Sequence, residues 1–74
     1  MTPAELREEV YALISEDRRV PITLVSIHTF FGVDARKVDR ALQALRKAGR
    51  IRFVKATEKT TPGWLAVPRR GGGS

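Results

Sequence analysis

Four long hydrogen-bonding side chains recur along one stretch of this sequence, Arg36, Arg40, Gln43 and Lys47. On a helix turning about 100° per residue they fall on one face, with Asp39 at its edge. A guanidinium can pair with both acceptors of guanine, a carboxamide with adenine, and a carboxylate can accept from the cytosine amino group. Such a face is either a reading surface for bases or a solvated helix exterior. Catalytic chemistry is poorly supplied: His28 is the only histidine, cysteine is absent, and no acids are spaced as a metal site or an acid/base couple. A magnesium site built from Asp34 and Asp39 would face strongly basic surroundings. The sequence thus predicts no enzyme, no cofactor and no metal.

The element that must position these side chains is a helix over 34–48. Asp34 suits its N-cap, because a carboxylate accepts from the free amides of the first turn, and Gly49 suits a left-handed C-terminal cap. Val38, Ala41, Leu42 and Leu45 recur at i, i+3, i+4 and i+7, an apolar stripe opposite the polar face. One side is dry and the other is armed.

Upstream, Thr2, Pro3 and Glu5 read as a cap, a first helical proline and the reaching acid of a capping box. Leu6, Val10, Leu13 and Ile14 then give a first helix ending near Asp17, with Tyr11 a half-buried packing residue. Arg18-Arg19-Val20-Pro21 breaks that helix, and Val20 with Ile22 suggests a very short strand. Thr23 is the expected N-cap of a second helix, 24–31, with Leu24, Ile27 and Phe31 inward. Val25 and Phe30 point outward, as a partner patch or as cover for a neighbouring element. Thr23 and the amides just after it are a candidate phosphate contact. After Gly49, residues 50–55 alternate as a strand, 56–63 form a polar turn with Pro62-Gly63, and 64–67 form a second strand that Pro68 ends. Trp64 is expected between hairpin and helices. Arg69 and Arg70 read as a phosphate-seeking tail or as appended sequence. Gly71-Gly72-Gly73-Ser74 reads as an added linker of the kind found in an engineered or designed chain.

At 74 residues the chain suits one small domain, expected over 1–68, with a tail over 69–74. Its 42% hydrophobic and 30% charged composition is that of a globular domain, without a membrane-length apolar run or a secretion signal. The lack of cysteine fits a reducing compartment, so a cytoplasmic location is expected, nucleoid-associated if the chain is natural. Charge is unevenly spread: residues 1–17 carry −4 and the remainder +10, which make up the net +6. Such polarity fits a domain that docks on nucleic acid in one orientation.

From Leu24 to Gln43, LVSIHTFFGVDARKVDRALQ resembles the helix-turn-helix motif of DNA-binding proteins. The motif's apolar positions are filled by Ile27, Phe31, Val33, Val38 and Ala41, and its turn glycine by Gly32. His28 departs from it, standing where the family usually has a small residue. Leu45, Gly49 and Ile51, followed by a hairpin, extend the resemblance to the winged-helix subclass over residues 3–68. The resemblance implies a mainly α fold, a three-helix bundle with a C-terminal wing of two or three strands. It also implies that the second helix of the motif lies in the major groove while the wing reaches backbone or minor groove.

On that footing Arg40 is the leading base contact and Arg36 the second, Gln43 reads adenine, and Ala35 touches a thymine methyl. Asp39 accepts from cytosine or instead orients Arg36 or Arg40 through an ion pair. Thr23, Lys37, Lys47, Lys55, Lys59 and Thr61 are expected on the backbone, which fixes register. Arg46, Arg50 and Arg52 depend on how the helix end turns. The expected partner is double-stranded DNA, bound sequence-specifically in a role such as transcription regulation by a monomer or weak homodimer, with no membrane or small-molecule substrate. The alternatives are a protein-interaction module on the same scaffold and a DNA binder without sequence preference.

Overall fold

A computed structural model of the protein describes residues 2–16 and 20–67. Three helices precede a two-stranded antiparallel hairpin: α1 (Pro3–Glu16), α2 (Leu24–Phe31), α3 (Ala35–Lys47), β1 (Ile51–Val54) and β2 (Gly63–Ala66). The architecture is a mainly helical small α+β fold.

Local chemistry sets each helix boundary. At the start of α1 the Thr2 N–H donates to Glu5 Oε1 and the Glu5 N–H donates to Thr2 Oγ1, both at 3.1 Å, so two unpaired amides are satisfied reciprocally. The Thr2 amide, more than the Thr2 hydroxyl, holds the Glu5 carboxyl below its ordinary range. Helix α2 begins where Thr23 Oγ1 accepts the Ser26 N–H at 3.1 Å. It ends at Gly32, whose φ of 65° lets its own amide and that of Val33 turn back onto the His28 carbonyl. Asp34 Oδ1 then accepts the Arg36 N–H at 2.8 Å and opens α3. At the far end Gly49, at φ 74°, allows its amide to reach the Arg46 carbonyl and the Arg50 amide to reach the Leu45 carbonyl, each at 3.0 Å. This Schellman closure turns the chain directly into β1.

The core is built on α3. Val38, Ala41, Leu42 and Leu45 are all buried, and they meet Leu6, Val10 and Ile14 of α1, Ile27 of α2, and Ile51, Trp64 and Ala66 of the hairpin. Leu13 is half-buried beside this cluster, as is Tyr11. Among the described residues no polar or charged residue is buried. Cohesion here is therefore apolar packing, and polar groups contribute mainly boundaries.

The first strand is shorter than the expected 50–55, and the second keeps its four residues but lies one position earlier than the expected 64–67. Ile51 pairs with Ala66, Arg52 with Leu65, Phe53 with Trp64 and Val54 with Gly63. Arg50 and Val67 add one bond beyond the ladder, the Val67 N–H donating to the Arg50 carbonyl at 2.8 Å. Gly63 belongs to β2 and not to the turn. Of the proposed Val20–Ile22 strand only Ile22 pairs: it exchanges two backbone bonds with Trp64, 3.1 and 2.8 Å, while Val20 remains exposed. The expected ends at Asp17 and Pro68, and the tail with Arg69 and Arg70, lie outside the described residues.

Pro21 and Ile22 press against Gly63, where an added Cβ would stand 2.8 Å from the Pro21 carbonyl carbon and the Ile22 nitrogen. Because backbone atoms yield little, Gly63→Ala is expected to destabilise the fold by about 1–3 kcal/mol, measured by urea unfolding. A second outcome follows from the cap of α1. A carboxyl with a lowered folded-state pKa contributes stability above its unfolded pKa and loses it as pH falls through the folded value. Glu5→Gln keeps the acceptor without the charge, so the acid-side loss of stability should be shallower in that variant.

Candidate nucleic-acid interface

The outer face of α3 follows from its inner one. With Val38, Ala41, Leu42 and Leu45 fixed inward, Arg36, Asp39, Arg40, Gln43 and Lys47 are all exposed on the opposite side. None of the four charged groups is ion-paired, for among the described residues Arg50 and Glu8 form the single ion pair. Asp39 therefore does not orient Arg36 or Arg40 through an ion pair, which was one of its two expected roles. The face offers two guanidinium groups, an amide, an ammonium and a carboxylate to whatever approaches it.

Two concavities flank this face. Towards α2, Leu24, Ala35, Arg36, Asp39 and Arg40 line a shallow hollow, with Ala35 half-buried. Towards α1, Lys37 and Arg40 share a cleft with Arg7. Lys37 thus stands to one side of the row formed by Arg36, Arg40, Gln43 and Lys47. Thr23 sits at the start of α2, but its hydroxyl accepts the Ser26 N–H at 3.1 Å and donates to Ser26 Oγ at 3.0 Å. Capping occupies that hydroxyl and the Ser26 amide, and the Leu24 and Val25 amides are what the helix end retains for an anion.

On the hairpin, Lys55, Lys59 and Thr61 are exposed in the loop 55–62. That loop is pinned by Thr57 and Thr60, whose amides donate to each other's carbonyls at 2.9 and 3.3 Å. The Lys59 N–H also donates to Thr57 Oγ1 at 3.3 Å. Trp64 is only 8% exposed, so its indole is packing and offers no stacking platform. Phe53, which the alternation gave no special place, is half exposed and meets Trp64 edge-on at a centroid distance of 5.2 Å.

The chain matches no family model, no curated protein and no solved structure. No group of three or more His, Cys, Asp or Glu residues among the described residues could hold a metal ion, and no described helix is long and apolar enough to cross a membrane.

Arg50 had an open role in the sequence, and the structure gives it one inside the fold. Its Nη1 donates to Glu8 Oε1 at 3.1 Å, and its guanidinium carbon lies 4.0 Å from the centre of the Tyr11 ring. The hydrogen bond to Glu8 raises its pKa further. Arg46 and Arg52 remain exposed. Glu8 and Tyr11 stand three residues apart, hence on one face of α1, a spacing that marks a seat for a cation. Nothing in the sequence says that a residue 42 positions away fills it.

With the Arg50 and Glu8 side chains 38% and 68% exposed, the ion pair is largely screened. Glu8→Gln is expected to cost less than about 1 kcal/mol, an effect that fades in high salt. Arg50→Ala also loses the Tyr11 stack, worth about 0.5–1 kcal/mol, and should remain destabilised when salt is raised. Urea unfolding at two salt concentrations separates the two contributions.

Proposed function

We propose that the protein binds double-stranded DNA as a winged helix, with α3 in the major groove and the hairpin as the wing against the backbone. The observation that carries this reading is the outer face of α3, where Arg36, Arg40, Gln43 and Lys47 are exposed, unspent on internal ion pairs and mounted on the best-buried helix of the fold. An α-helix with its side chains is about 10–12 Å across, and the major groove is about 12 Å wide. Arg40 and Arg36 are the assigned guanine readers, Gln43 reads adenine, Asp39 accepts from cytosine, and Ala35 lies against a thymine methyl. Lys37, Lys47, Lys55, Lys59, Thr61 and the amides after Thr23 hold phosphates and set register. Transcription regulation is the role proposed for such a sequence-specific binder.

A protein-interaction module is the second reading, and one observation favours it. Val25 is 65% and Phe30 68% exposed on α2, leaving two large apolar side chains that a partner could cover.

Titration of a labelled duplex, first with a site selected from a randomised library, decides between them. With about six phosphates neutralised, affinity should fall roughly a thousandfold between about 50 and about 200 mM salt. Arg40→Ala should relax preference at one base position at a cost of about 1–3 kcal/mol, while Lys59→Ala weakens all duplexes alike. If both variants weaken every sequence equally, the base-reading assignment fails. Absence of duplex binding at low salt, with self-association lost in Val25 or Phe30 variants, selects the protein-interaction reading.

A further inference from the structure

We propose that the cleft between α1 and α3 is a binding site for a small amphipathic anion, an apolar body carrying one carboxylate. The cleft encloses about 380 Å³, within the lower range of small-molecule sites. Its apolar lining comes from Pro3 and Leu6 of α1, Val33 of the turn, and Ala41 and Ala44 of α3. Alanines at positions 41 and 44 are what leave the space, since larger side chains there would fill it.

Three cations, Arg7, Lys37 and Arg40, line the same cleft, and no acid does. Arg7 is the sole base in the otherwise acidic segment 1–17, and α1 delivers it to the basic side of the molecule. None of the three is ion-paired within the described residues. Like charges gathered around apolar surface repel one another and keep their full attraction for an anion from outside. A hydrophilic phosphate would use the cations and leave the apolar lining wet. A neutral hydrocarbon would use the lining and leave the cations unpaired. An anion of about ten non-hydrogen atoms, most of them an apolar body, satisfies both.

Arg40 also lines the hollow towards α2 on the other flank of α3. A carboxylate held by Arg40 from the cleft side withdraws that guanidinium from the outer face. Occupancy and duplex binding are then antagonistic, with equal reciprocal effects on the two affinities. This coupling rests on the proposed DNA reading, whereas the binding site itself does not.

The test is a backbone-amide NMR titration of the whole chain with octanoate, set against octanol, acetate and inorganic phosphate. Octanoate should give saturable shifts centred on Leu6, Val33, Ala41 and Ala44, and the three comparison compounds should bind at least about tenfold more weakly. Arg7→Gln, a change at an exposed position, should weaken octanoate at least about threefold. Ala44→Leu, which narrows the cleft, should abolish the saturable shifts while the amide spectrum stays folded. Equal binding of octanol, equal binding of acetate or phosphate, shifts spread along the outer face of α3, or no saturation would each overturn the site. In a parallel duplex titration octanoate should lower affinity for the wild-type chain, and the same fall in Arg7→Gln should need at least about threefold more octanoate. A chain that binds octanoate in the cleft but binds no duplex removes the DNA reading and leaves this site standing.

Discussion

Every other element of this protein is placed by the apolar stripe of α3. Val38, Ala41, Leu42 and Leu45 leave almost no surface exposed, and α1, α2 and both strands each bring buried side chains to that stripe. In a chain this short one core must serve all elements, so losing one large residue from it would cost a substantial part of the total stability. The same seating fixes the rotation of α3 about its axis. Its polar face is therefore presented at a set angle, and the directions in which the exposed arginines leave the helix are set by the buried stripe on the opposite side.

The two ends of α3 carry that orientation outward. Gly32 and Asp34 set where the helix begins relative to α2, and Gly49 sets the direction in which β1 leaves. Arg50 then reaches back across the molecule to Glu8 and Tyr11. The first residue after the C-terminal turn is thus tied to the first helix, which links the attitude of the hairpin to the helical body. The charge separation visible along the chain is bridged at this point, where Glu8 of the acidic first segment meets Arg50 of the basic remainder.

Local signals were legible in the sequence and remote ones were not. Thr2 with Glu5, Thr23, Asp34, Gly32 and Gly49 each act within a few residues, so their chemistry declares itself in the spacing, and the helix bounds follow to within a residue. The outward face of α3 was equally readable from the stripe. Pairings over long separations had no such signature: Ile22 with Trp64, Arg50 with Glu8, and the approach of Pro21 to Gly63 depend on how finished elements dock. Thr23 shows the intermediate case, since its capping role was evident while the second bond that occupies its hydroxyl was not. Asp39 has two roles open in the sequence, and only the folded arrangement, in which Arg50 and Glu8 form the single ion pair among the described residues, removes its ion pair with a neighbouring arginine.

The single bridge between Ile22 and Trp64 changes the topology of the hairpin's edges. An isolated two-stranded hairpin exposes unpaired backbone groups along both margins, and each margin can recruit a strand from another molecule. Here β2 is flanked by β1 on one side and by Ile22 on the other, with Pro21, which has no amide hydrogen to donate, next to it. The margin left open belongs to β1, four residues long, with Arg52 exposed on it and Lys55 just beyond. Shortness and positive charge are the features that discourage edge-to-edge growth. Among the described residues, the β1 edge of this small sheet is thereby unsuited to templating fibrils.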